Sequence, residues 1–440
     1  MRIHTKVFSS SQVILLGCIA LILVGALLLA LPISSRNGSS AGFSAALFTS
    51  TSAACVTGLV VRDTATAWSG FGQAVILILI QIGGLGVITA AGAISLLTGR
   101  RIGLRQRSTL QEAFSAPQVG GVVRLIGFVL RLTVVFELAG ALAMLPAFAQ
   151  RYGFGRGLWV SVFTAVSAFC NAGFDLCGAE EPFSSLTGFA GSVSVNLTVM
   201  LLIILGGIGF LCWDDLRRNG LHVARWRMQT KLVLLVTALL ILLPAAYLFC
   251  FELSDLSPGR RVLASLFQSV TPRTAGFNTV DYSRFSESGL GLTILLMLIG
   301  GSPGSTAGGI KTTSFAVLLG TAASVFRRRQ NVHFFGRRIS EETVRRAATL
   351  AVLYFALCFT GGLVLSRIER LPLLTSLFET ASAIGTVGLT LGVTPHLCEA
   401  SRWILILLMI AGRVGGLTLV FSALRPGKAS NFPQERLMVG

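Results

Sequence analysis

Four short stretches of this 440-residue chain place uncharged, oxygen-rich backbone around a glycine at nearly constant spacing. They are Val56-Thr57-Gly58, Asn171-Ala172-Gly173, Thr274-Ala275-Gly276 and Thr386-Val387-Gly388. Each follows a leading phenylalanine (Phe48, Phe163, Phe267, Phe378), at Phe-to-Gly distances of 10, 10, 9 and 10 residues, so the third copy is one residue short. The chemistry open to such a set is coordination by main-chain carbonyls. Glycine adopts backbone angles that other residues avoid, which lets a chain turn back with its carbonyls directed inward. Four such loops around one axis would stack rings of oxygens that replace the hydration shell of a monovalent cation. A divalent site is expected to show acidic rings instead. None of these residues is acidic, which favours potassium or sodium over calcium or magnesium.

The elements that must hold these loops are membrane helices. Hydrophobic residues make up 53% of the chain, charged residues only 12%, and the mean hydropathy is +0.77. Soluble domains carry about twice that charged fraction. Eight apolar segments, near 13–32, 71–97, 122–146, 192–213, 232–251, 289–326, 347–366 and 402–424, each approach the ~20 residues that cross a bilayer. The first is expected to be a retained span rather than a signal peptide, because it is long and lacks a convincing cleavage stretch. Each glycine stretch lies between the two spans of a pair. The expected fold is therefore an all-α polytopic membrane protein with four helix–pore-loop–helix units in pseudo-fourfold arrangement around one central pore. The units are 1–98, 99–218, 219–330 (with a broken second helix) and 331–440 (with the C-terminus), and the leading phenylalanines recur at intervals of 115, 104 and 111 residues.

Charge sets the expected orientation. The inter-unit linkers and termini carry 22 Lys/Arg against 6 Asp/Glu, and the segments holding the glycine stretches carry 11 of each. The linker arginines include Arg100, Arg101, Arg105 and Arg107, Arg217, Arg218, Arg225 and Arg227, and Arg327, Arg328, Arg329, Arg337 and Arg338. The positive-inside rule then places both termini in the cytoplasm of a multi-pass protein of the cytoplasmic membrane, with the four loops entering from outside. The net charge of +18 follows from this topology and calls for no nucleic acid. The basic run 327–346 could also contact anionic membrane lipid or a regulatory partner.

Every second span carries a glycine cluster. The first (Gly83, Gly84, Gly86) and second (Gly206, Gly207, Gly209) read as close helix packing, and the fourth is Gly412, Gly415 and Gly416. The third is different: Gly300, Gly301, Ser302, Pro303, Gly304, Ser305, Thr306, Ala307, Gly308, Gly309 and Lys311 interrupt an apolar span with a composition no helix continues through. Irregular backbone at membrane depth must be covered by protein or line water. The sixth span is expected to be two half-helices around an intramembrane loop that faces a cavity. Arg413 lies mid-span and must face a cavity or a partner. With Lys311 it would place two cations on the inner side of the carbonyl rings, an electrostatic barrier to a permeating ion. Glu137, the single acid within a span, is expected to pair with Arg131 or another cation. Asp63, Asp175 and Asp281 follow three of the glycines onto the outer side, where they either concentrate cations or hold loops. The eight scattered cysteines read as small buried apolar residues.

Together CVTGL (55–59), FCNAGFDL (169–176), TPRTAGFNTVD (271–281), IGTVGL (384–389), GGSPGSTAGGIKTTS (300–314) and AGRVGGLT (411–418) resemble the Trk/Ktr/HKT superfamily of potassium transporters over essentially the whole chain. The eight-span length and terminal Gly440 are most similar to the KtrB-type ion-translocating membrane subunit. The resemblance implies that Gly58, Gly173, Gly276 and Gly388 are filter glycines. Glycine rather than serine at position 58 implies potassium permeation. It implies also a gate formed by the broken sixth span and Arg413, a homodimer, and a cytoplasmic ring of nucleotide-binding (RCK, KtrA/TrkA-type) regulatory subunits. Ala307 and Gly416 depart from residues common in relatives. The chain has no G-x-x-x-x-G-K-[ST], so no nucleotide is expected on this subunit itself. Potassium is the expected ion, with sodium as a coupling or activating ion. Enzyme motifs such as H-E-x-x-H and G-x-S-x-G are missing, so no catalytic residue is assigned. The competing class is a secondary transporter of a small solute with a broken-helix midplane site, which would show inverted halves rather than four same-direction repeats.

Overall fold

The computed structural model describes residues 9–98, 103, 109–111 and 121–416. Arg100, Arg101, Arg105, Arg107, Gly440, Leu417, Thr418 and both chain ends lie outside the described residues. The chain folds as helices in four successive sets. The first holds α1 (Ser10–Ala30), α2 (Phe43–Ala54), α3 (Gly70–Leu85) and α4 (Val87–Leu97); the second holds α5 (Val122–Tyr152), α6 (Phe154–Phe169), α7 (Val193–Gly207) and α8 (Phe210–Asn219). The third holds α9 (Met228–Tyr247), α10 (Pro258–Val270), α11 (Glu287–Leu298) and α12 (Thr312–Phe326); the fourth holds α13 (Glu341–Glu369), α14 (Leu373–Gly385) and α15 (Glu399–Val414). A two-stranded hairpin, His333–Phe334 with Arg337–Arg338, departs from the all-helical expectation and lies within the basic linker.

The helix opening each set is the long one. Ser10–Ala30, Val123–Tyr152, Met228–Glu252 and Glu341–Glu369 are each long and apolar enough to cross a membrane. Their large apolar side chains point outward, with Leu27, Leu142, Leu243 and Val352 all more than 60% exposed. A soluble protein would bury such a surface; here lipid is the solvent that accepts it.

The second span of the first two sets bends at glycine. Gly70–Leu85 and Thr89–Leu96 meet at 100°, and Val193–Gly207 and Phe210–Asn219 at 92°. Gly86 and Gly209 occupy the breaks with φ of +86° and +91°, a conformation in which a Cβ would be strained. At the second break Trp213 Nε1 donates to Leu205 O at 3.0 Å, satisfying a carbonyl near the end of α7. The sequence expectation for these two clusters, helix packing alone, is therefore incomplete. Packing is present as well: a Cβ on Gly83, Gly206 or Gly412 would overlap the carbonyl oxygen of Ala54, Phe169 or Ile384 respectively. Small residues let these helices touch the carboxyl ends of α2, α6 and α14 directly. In the third set residues 299–311 separate α11 from α12. α15 ends at Gly415, φ +88°.

Two expectations need correction. Glu137 forms no ion pair with Arg131; its carboxyl faces Gln81, and one oxygen has no hydrogen-bond partner among the described residues. Arg131 is exposed on α5 while Glu137 is half-buried against Gln81, so the two do not meet. Of the eight cysteines, all free, Cys250 and Cys398 are exposed rather than buried.

Candidate ion filter and barrier

The leading phenylalanines explain why the four loops share one construction. Phe48, Phe163, Phe267 and Phe378 are completely buried. Four residues further on, Ser52, Ser167, Thr271 and Ser382 are also buried, at or near the carboxyl end of the short helix. In three copies the residue before the glycine donates its N–H to that serine's carbonyl five residues back: Thr57 to Ser52 at 2.8 Å, Ala172 to Ser167 at 2.7 Å and Val387 to Ser382 at 2.8 Å. In the third copy, one residue short, Ala275 donates to Thr271 only four residues back, at 3.0 Å. The deletion is absorbed by a tighter turn. The side chains of Ser52 and Ser382 add a second tie, each accepting from the N–H of its glycine at 3.0 Å.

Backbone conformation repeats with the same fidelity. Val56, Asn171, Thr274 and Thr386 have φ of 57°, 58°, 67° and 51°, and Gly58, Gly173, Gly276 and Gly388 have 93°, 70°, 82° and 95°. A left-handed β-branched residue is uncommon and costs about 1–2 kcal/mol, so surrounding packing must impose it at three of the four sites.

The glycines form a closed ring. A Cβ on Gly58 would lie 2.5 Å from Ala172 O, and one on Gly173 would lie 2.7 Å from Ala275 O. On Gly276 it would overlap Val387 O, and on Gly388 it would overlap Thr57 O, which returns the circuit to the first copy. Each glycine thus gives room to a carbonyl of the next copy. The buried hydroxyls of Thr57, Thr274 and Thr386 have no hydrogen-bond partner among the described residues.

On one side of the ring lies a cavity of about 350 Å³ lined by all four glycines together with Asp63, Asp175, Glu181, Asp281 and His396. The three aspartates line it and hold loops at the same time. Asp63 accepts from Thr66 N at 2.8 Å and Phe183 N at 3.1 Å, Asp175 from Cys177 N at 2.9 Å, and Asp281 from Ser283 N at 2.9 Å.

On the other side runs the loop between α11 and α12. It is anchored at both ends of its path by backbone bonds, Gly300 N to Ile310 O at 2.9 Å and Thr312 N to Gly301 O at 3.1 Å. It is also stitched to the break in α7–α8, with Ser302 N donating to Gly207 O at 2.9 Å and Phe210 N to Gly304 O at 2.8 Å. Thr306 Oγ1 donates to Phe169 O at 3.0 Å and lies 3.1 Å from the Asn171 amide. A Cβ on Gly308 would overlap the Thr386 hydroxyl. Copies two and four stand opposite one another in the ring, so the loop crosses beneath it. Lys311 Nζ folds back onto Ala307 O at 2.7 Å.

Arg413 closes the arrangement. Its guanidinium donates to Thr306 O in the loop and to Gly83 O and Gly84 O on α3, the last at 3.1 Å. The family resemblance implies Arg413 beside the loop; the structure has it bonded to the loop and also to the first set. That tie was not legible, because nothing in a glycine cluster marks its carbonyls as acceptors. Glu379 is likewise not legible in the sequence. It sits on α14 one residue after Phe378, wholly buried, and belongs to no motif.

The family model of cation transport proteins described as TrkH matches residues 15–431. The chain belongs to this family. Within it, the chain is 40% identical to the potassium/sodium uptake protein NtpJ of Enterococcus hirae over 99% of its own length and 98% of the relative's. It is 40% identical to the Ktr system potassium uptake protein B of Bacillus subtilis, over 98% and 97% of the two chains. The solved potassium transporter TrkH of Vibrio parahaemolyticus shares the fold, with a TM-score of 0.76 at 20% identity over 97% of this chain and 87% of that one. The chain, as a member of this family of cation transport proteins, is an ion transporter and not an enzyme.

Proposed function

We propose that this chain is the potassium-translocating subunit of a Ktr-like uptake system, with one pore whose filter is the four-glycine ring. The observation that carries the reading is the closed circuit of glycines, each leaving room for the next copy's carbonyl. Carbonyl rings of that kind select monovalent cations by replacing their water. The names of the Enterococcus and Bacillus relatives, a potassium/sodium and a potassium uptake protein, support potassium as the ion. Sodium acts as a coupling or activating ion in this reading. Each quarter belongs to one of the units 1–98, 99–218, 219–330 and 331–440. Residues 300–309, Lys311 and Arg413 form the barrier. The aspartate-lined cavity is the outer mouth, and both termini face the cytoplasm, where the basic linkers would meet a nucleotide-binding regulatory ring. The name "Ktr system" of the Bacillus relative supports such a partner.

The deciding experiment expresses the chain in cells lacking potassium uptake and measures rubidium entry. Rubidium flux above the empty-vector level is expected; transport of a small organic solute without it would overturn the pore in favour of a secondary transporter. Within that assay Gly58→Ser tests the filter. Its Cβ must displace the Ala172 carbonyl, so discrimination between rubidium and sodium is expected to fall toward sodium. An unchanged ratio would remove Gly58 from the selectivity element. The assembly is checked separately: the purified protein is expected to be a homodimer, and a strictly monomeric mass in mild detergent would remove it.

A further inference from the structure

One buried acid stands behind the ring, outside both the ring and the barrier. Glu379 is fully buried and makes no ion pair among the described residues. Its Oε1 accepts from Thr390 Oγ1 at 2.6 Å and Leu391 N at 3.0 Å, and its Oε2 accepts from Thr394 Oγ1 at 2.6 Å. Thr390 and Thr394 are themselves 3.1 Å apart. All three donors lie on the chain leaving Gly388, two, three and six residues beyond it. The carboxyl group therefore spans the back of the fourth quarter, from α14 to the limb that carries the glycine outward. A buried carboxyl group is costly unless hydrogen bonds satisfy it, and here those bonds come from the segment whose shape matters.

The same position in the other copies grades this clamp. In the third copy it is Gln268, also buried. With its amide oriented to suit its neighbours, Gln268 accepts from Thr279 N at 3.1 Å and Val280 N at 2.9 Å and donates to the Tyr282 hydroxyl at 2.6 Å. Those acceptor bonds reach three and four residues beyond Gly276, nearly the same place on the outgoing limb. In the first two copies the position holds Thr49 and Thr164, whose hydroxyls have no hydrogen-bond partner among the described residues. Two quarters are clamped from behind and two are not, and the clamp built on a carboxylate belongs to the fourth.

We propose that Glu379 is a positioning residue for ion selectivity, holding the Thr386–Gly388 carbonyls at the spacing that favours potassium by fixing the limb beyond them. The inference rests on the four-glycine ring being the filter. Charge-assisted bonds of this length are the strong ones, and a limb released by their loss would let carbonyls close on a smaller ion.

Glu379→Leu keeps the approximate size of the side chain and removes every acceptor, so Thr390, Leu391 and Thr394 all lose theirs. At unchanged amounts in the membrane, the rubidium-to-sodium uptake ratio is expected to fall about tenfold, the scale of one hydrogen bond to a charged group. Glu379→Gln, which can clamp as Gln268 does, and Glu379→Asp, which keeps the acceptor chemistry, are each expected to recover part of the ratio. Thr394→Val removes one donor without touching the acid and is expected to shift the ratio the same way by a smaller factor; it decides the matter if the Leu variant does not reach the membrane. Wild-type ratios in the variants that do reach it would overturn the proposal. Gly58→Ser measured alongside separates the two levels: a shift there with none at Glu379 or Thr394 leaves the filter standing and removes the clamp, and no shift at either removes the filter.

Discussion

Alanine at Gly388 is expected to abolish rubidium uptake while the protein still reaches the membrane in normal amounts. The glycine has φ +95°, so a side chain there costs about 1–2 kcal/mol of backbone strain. The larger effect is position: the new Cβ would fall on Thr57 O and within 3.1 Å of both Cα and C of Gly58. That methyl must push apart two quarters of the ring, and rings of carbonyls tolerate little displacement before the ion meets either a gap or a block. Gly392 provides the control. It has φ +85° and nothing within 4 Å of its added Cβ, so Gly392→Ala carries the strain without the collision and is expected to retain most uptake. Equal uptake by the two variants would mean that the ring is not the permeation path.

Removing Arg413 has the opposite expected sign. Arg413→Ala deletes a cation and three bonds to carbonyls of Thr306, Gly83 and Gly84, each worth about 1.5–3 kcal/mol when the donor is charged. The loop between α11 and α12 then loses its tie to α3, and the electrostatic barrier below the ring falls. Rubidium influx is expected to rise several-fold. Arg413→Lys keeps the charge but not the planar fork that reaches carbonyls on two elements; flux between wild type and the alanine variant is expected. Reduced flux at normal insertion in the alanine variant would mean that Arg413 supports the fold and bars nothing.

The long apolar segments were legible because lipid imposes a length and a composition on them, and the four loops because each repeats a buried phenylalanine ahead of a glycine. The expected limits hold within a few residues for most spans. α5 overruns its expected end at 146 to reach Tyr152, and α13 begins at Glu341 rather than 347, since polar first and last turns extend a helix beyond its apolar stretch. The break in the sixth span was visible through Pro303 and its crowd of glycines. The breaks at Gly86 and Gly209 were not, because one glycine in a helix looks the same whether it serves packing or a positive φ. The third copy's missing residue was visible but mute; only hydrogen bonding shows that a shorter turn takes it up. Glu379 was invisible for a different reason. Its partners are two threonines and one backbone amide up to 15 residues away, and such a pattern leaves no trace in spacing.

The closed ring carries an evolutionary consequence. A pore assembled from four identical chains changes at four places whenever one codon changes, so selectivity moves in a single jump. Here Val56, Asn171, Thr274 and Thr386 already differ from one another at equivalent positions, and so do Thr49, Thr164, Gln268 and Glu379. Each quarter has its own codons, so a substitution at one of these positions alters one quarter and leaves the sequence of the other three unchanged.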